Sequence, residues 1–98
     1  MANFLVLYRA DTATVDQMSQ ATPEQAKAGM DAWMQWFGAA GDAIVDGGAP
    51  TQGPDATITG YSILKADDRA AAEALVADHP HRQMGTIEVY ECLAMPGM

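Results

Sequence analysis

The chain carries two histidines, and both stand in one tripeptide, His79-Pro80-His81. Imidazole is the side chain whose ordinary pKa, about 6.5, lies near neutrality, so a histidine at the mouth of a strand suits a general acid or base. His81, directly before the last predicted strand, is the stronger candidate. A base there needs an orienting partner, and Asp46, near a strand end, or Glu88, on the last strand, is the expected carboxylate. The structural alternative for His81 is a turn histidine bonded to a helix carbonyl. His79 reads onto the inward face of the preceding helix near Leu75, where a histidine interacts with the helix dipole.

Further candidate ligand contacts are Trp36, Ser62, His79 and Tyr90. Glu88 and Tyr90 have the parity opposite to Ile87 and Val89, so they face away from the helices if the apolar pair faces toward them. They would then line a cavity between subunits or serve as hydrogen-bond partners there. Trp33 falls on the apolar stripe of its helix and is expected in the core. Trp36 lies roughly 100° off that stripe and is expected at a pocket or dimer rim. Gly47-Gly48 has no following lysine or helix start, which excludes a phosphate loop. A histidine pair broken by proline, even with Asp46, is weak support for a metal, so none is expected. No redox-cofactor motif is present, and no cofactor is expected. Cys92, lacking a basic neighbour, reads as buried filler.

The elements that must hold these groups follow from pattern. Asn3 to Arg9 is apolar on both parities, as in a strand covered on two faces. Residues 10–22 are polar and small. Thr22-Pro23-Glu24-Gln25 then supplies an N-cap hydroxyl, a first-turn proline and a capping-box glutamine. Ala26, Met30, Trp33, Met34, Phe37 and Gly41 continue as the stripe of an amphipathic helix of about 18 residues, ~27 Å long. Ile44 to Ala49 and Thr57 to Lys65 read as strands around a Pro- and Gly-containing loop. Asp67 or Asp68 caps a second helix that Pro80 ends, and Thr86 to Leu93 closes the chain as a strand. The order βαββαβ is the ferredoxin-like α+β arrangement, with an antiparallel four-stranded sheet and both helices on one face. Apolar residues on both parities of the first and third strands, such as Phe4/Leu5 and Ile63/Leu64, imply that a second copy covers the open face, giving a homodimer.

Ninety-eight residues make one domain, and 49% hydrophobic with 18% charged residues is the balance of a packed globule. Five basic against thirteen acidic side chains give a formal charge of −8, which disfavours nucleic acid and anionic membranes as partners. A single cysteine fits a reducing compartment. The apolar start is too short for a membrane span and lacks a basic leader, so a cytoplasmic location is expected.

Met30-Asp31-Ala32-Trp33-Met34-Gln35-Trp36-Phe37 running into Gly41 to Gly48, Gly60 to Asp67, His79-Pro80-His81 and Gly85 to Val89 resemble the YCII-related, or DGPF-like, family across most of the chain. The resemblance implies a dimeric α+β barrel. In one branch of that family a His-Asp pair is a proposed active site, with the histidine near the first helix. Here both histidines come late, and the segment corresponding to DGPF reads Asp46-Gly47-Gly48-Ala49-Pro50. Two functions are consistent with the whole: a small-molecule lyase or isomerase using His81, or a non-catalytic metabolite-binding module in which both histidines are structural.

Overall fold

The computed structural model describes residues 1–96. The elements run β1 (Ala2–Arg9), α1 (Thr12–Ser19), α2 (Pro23–Ala40), β2 (Ile44–Asp46), β3 (Ile58–Ala66), α3 (Arg69–Leu75) and β4 (Thr86–Glu91), with 3₁₀ turns at Gly41–Ala43 and Pro80–Gln83. The strands form one antiparallel sheet in the order β2-β3-β1-β4. This is the expected ferredoxin-like α+β fold with one additional helix, α1.

Alternation along β1 puts Phe4, Val6 and Tyr8 on the buried side, where they pack with Leu64, Val89, Trp36, Ala72 and Val76. Val6 stands opposite Ser62 on β3 and Val89 on β4, so the centre of the sheet is also the centre of the core. The other parity, Leu5, Leu7, Tyr61 and Ile63, occupies the face away from this core.

Helix α1 replaces the polar connection expected over residues 10–22. Asp11 caps it by accepting the Thr14 amide at 2.7 Å, and the helix buries no residue, which explains why its sequence has no apolar stripe. Helix α2 begins with the expected capping box, Thr22 and Gln25 each accepting the other's backbone N–H. Its phase differs from expectation. Trp36 is buried, and its indole N–H donates to the Leu75 carbonyl at 2.9 Å, whereas Trp33 is half-buried and Met30 and Met34 are exposed. The helix touches α3 on one flank and overhangs the sheet on the other, so a wheel drawn for one buried stripe selects the wrong tryptophan.

Helix α3 is capped by Asp68 and stops at Leu75, short of Pro80. The Val76 carbonyl accepts from the His79 amide at 3.2 Å and from Arg82 Nε at 2.8 Å, which diverts the chain into the Pro80–Gln83 turn. Cys92 is exposed rather than buried: β4 ends at Glu91, one residue before it.

Candidate functional site

Tyr8 and Ser62 stand diagonally across the β1/β3 ladder on its helix-facing side. A Cβ on Gly60, the residue paired with Tyr8, would lie 3.2 Å from the Ala49 carbonyl oxygen, so glycine here lets the segment at 49–50 close onto β3. The Tyr8 hydroxyl meets Ser62 Oγ at 2.8 Å, and Ser62 donates to the Gly47 carbonyl at 2.9 Å. Burial raises the Tyr8 phenol above its ordinary pKa, against a smaller opposing effect of the Ser62 contact.

The Pro80–Gln83 turn brings in both histidines. His79 Nδ1 accepts the His81 amide at 3.0 Å, so in the neutral ring the proton sits on Nε2. That Nε2 is buried without a hydrogen-bond partner among the described residues, and the ring is enclosed by Tyr8, Trp33 and Trp36 at centroid distances of 4.8, 4.4 and 4.4 Å. His81 Nε2 lies 2.7 Å from the Arg9 carbonyl, and since a carbonyl only accepts, Nε2 carries the proton. A Cβ on Gly85 would fall 2.0 Å from the Arg9 oxygen and 2.7 Å from His81 Nε2, so this clasp requires glycine at position 85.

Tyr8 and His81 share the wall of a cavity of about 480 Å³ between α2 and the sheet. Trp33, Phe37 and Met30 of α2 line one side and Gly47, Gly48 and Pro50 the other, with Met18 of α1 and Met84 nearby. Gly48 adopts φ +81°, and a Cβ there would lie 1.6 Å from the Tyr61 carbonyl oxygen, which binds the Gly47-Gly48 segment closely to β3. No lysine, arginine or carboxylate lines the cavity among the described residues.

The other candidates lie elsewhere. Glu88 is on the opposite face of the sheet and accepts from Arg9 Nε at 2.5 Å, with Asp55 bound to the same guanidinium at 3.1 Å. That contact holds the Glu88 carboxyl below its usual range. Asp46 Oδ1 accepts the Gly48 amide at 2.8 Å. Tyr90, on the Glu88 face, is largely exposed, and Trp36 is in the core. His81 and its neighbour His79 therefore come together with Tyr8 and Ser62, away from both carboxylates. Tyr8 and Trp33 as ligand walls escaped the sequence reading. The available signal was a tyrosine sharing the parity of Phe4 and Val6, since a buried phenol needs a polar partner. Among the described residues, no three His, Cys, Asp or Glu side chains cluster to hold a metal, and no helix is long and apolar enough to cross a membrane.

Fold and cavity together define a small ferredoxin-like α+β protein with a ligand-sized apolar pocket between helix and sheet. The chain belongs to the YCII-related family, whose domain model matches residues 2–96. Its backbone is similar to that of 5-chloro-2-hydroxyhydroquinone dehydrochlorinase (TftG) from Burkholderia phenoliruptrix AC1100, solved in complex with 2,5-dihydroxybenzoquinone. The TM-score is 0.63 and the identity 14%, over 95% of each chain. Among curated protein sequences nothing matches this chain.

Proposed function

We propose that the protein is a small-molecule lyase or isomerase working by proton transfer in the Tyr8–His81 cavity, with His81 as the general acid or base. The carrying observation is the His81 clasp: Nε2–H is held by the Arg9 carbonyl, leaving Nδ1 unpartnered among the described residues on a side chain that lines the cavity. The backbone carbonyl fixes tautomer and ring orientation, the task expected of Asp46 or Glu88. In the step, Nδ1 takes a proton from a ligand C–H or O–H and the electron pair stays on the ligand. The new N–H then returns its proton at another ligand atom or to a departing group. Similarity to a dehydrochlorinase supports ligands built on a small ring. A homodimer formed through the Leu5, Leu7 and Ile63 face, in a reducing cytoplasm, completes the proposal.

A second reading, a non-catalytic metabolite-binding module, is favoured by the lack of any carboxylate on His81. Proton NMR in D₂O with a panel of chlorinated hydroquinones and other hydroxylated rings separates the two. Conversion or deuterium uptake should fall by about 10²–10⁴-fold in His81→Ala while its circular dichroism stays native. Full activity in that variant removes His81 from catalysis, and binding without any conversion leaves the module.

A further inference from the structure

We propose that this cavity selects uncharged molecules that donate hydrogen bonds, phenol-type hydroxyls above all, over the matching ethers and carboxylates. The proposal rests on the cavity reading above and adds the polarity of recognition to it.

Hydrogen-bond direction in the wall is fixed by groups that have no choice. The Gly47 carbonyl accepts the one hydrogen Ser62 has, at 2.9 Å. The 2.8 Å contact between Ser62 and Tyr8 must then use the Tyr8 hydrogen, so the phenol oxygen offers the cavity only lone pairs. Because burial raises the Tyr8 pKa, that hydrogen stays on the oxygen at neutral pH. Thr59, also in the wall, directs its hydroxyl hydrogen to the Tyr8 carbonyl at 2.9 Å. His81 gives its Nε2 hydrogen to the Arg9 carbonyl at 2.7 Å, and the neutral ring keeps an unshared pair on Nδ1. Of the polar side chains in the wall, Tyr8 and His81 are buried and both are acceptors, whereas Tyr61 and Gln25, whose Oε1 takes the Thr22 amide, are more exposed.

An ether or carbonyl oxygen placed there sets lone pair against lone pair, and both groups lose water without gaining a bond. A ligand hydroxyl satisfies the wall. Carboxylates and phosphates find no lysine or arginine in the cavity, on a chain whose formal charge is −8. Trp33 and Phe37 offer aromatic surface, and the Met30 and Met84 thioethers suit contact with a ring.

Three probes of equal ring size test this: 2-naphthol, 2-methoxynaphthalene and 2-naphthoate, titrated against tryptophan fluorescence and checked by ligand-observed NMR. Wild type should bind the naphthol at least about tenfold more tightly than the ether and show no saturable binding of the naphthoate. Ser62→Ala frees the Tyr8 hydrogen for the cavity, so the naphthol-to-ether ratio should narrow by about tenfold or invert while thermal melting remains cooperative. Tyr8→Phe removes one acceptor and should weaken the naphthol selectively. Equal naphthol and ether affinities in wild type, or a ratio unmoved by Ser62→Ala, overturn the donor requirement and leave the His81 assay to be judged separately. Absence of binding by all three probes at millimolar concentration overturns the cavity reading itself.

Discussion

His79 places an ionisable ring where its charged form has no support. Burial among Tyr8, Trp33 and Trp36, then repulsion from His81 and Arg82, lowers its pKa from 6.5 to about 4. The unfolded chain therefore binds the proton more readily than the folded one, and stability is complete above about pH 6.5 and declines as pH falls toward 4. The loss is on the order of 3 kcal/mol across that window. Urea midpoints between pH 7 and pH 4.5 measure it. His79→Asn, which keeps an acceptor for the His81 amide but does not titrate, should flatten the profile over that range. A variant as acid-sensitive as wild type would place the proton uptake elsewhere. That this tripeptide mattered was visible in the sequence, because it holds both imidazoles. The partner of the His81 ring was not visible: the Arg9 carbonyl is distant in sequence from it, and backbone acceptors have no residue signature.

At the scale of elements, α2 carries two tryptophans with different tasks. Trp36 fills the junction with α3, so Trp36→Ala should cost about 3 to 5 kcal/mol. Trp33, packed at the edge of the core and facing the cavity, should cost less in stability and more in probe affinity when changed to alanine. Denaturant melts and naphthol titration of the two variants give the ordering, and a more severe melt for Trp33→Ala would contradict it. The capping box and the length of α2 were legible because they depend on neighbours in sequence. Its rotation was not, because the apolar positions serve two flanks and only tertiary contacts decide which one is buried. The short β2 and the early end of α3 have the same origin, since strand pairing and carbonyl capture after Leu75 come from residues that local pattern does not connect. Helix α1 was invisible for another reason: a surface helix that buries no residue needs no apolar period.

For the whole molecule, the Cα radius of gyration of 14.2 Å exceeds the about 13 Å usual for 100 residues, and the extents are 47 × 31 × 19 Å. In the proposed dimer the Leu5, Leu7, Tyr61 and Ile63 face meets its counterpart on a second copy, so light scattering at micromolar concentration should give about twice the chain mass. Leu7→Lys, a charge in the middle of that face, should shift the protein toward monomer; a wild-type monomer would exclude the sheet-to-sheet pairing. The ferredoxin-like order was legible throughout because six segments alternate in a pattern that few topologies accommodate. Helix α2 is held mainly at one end. Its C-terminal part is anchored by Trp36 at Leu75, while residues 23–31 are all exposed, like a beam fixed at one end over the cavity. In the proposed site the edge formed by Ala26 and Met30 would set how broad a guest is admitted. The acceptors on the sheet and the Pro80–Gln83 turn would set which guest is held. On this reading breadth and polarity of recognition reside on separate parts of the frame, one on the overhanging half of α2 and one on the sheet side.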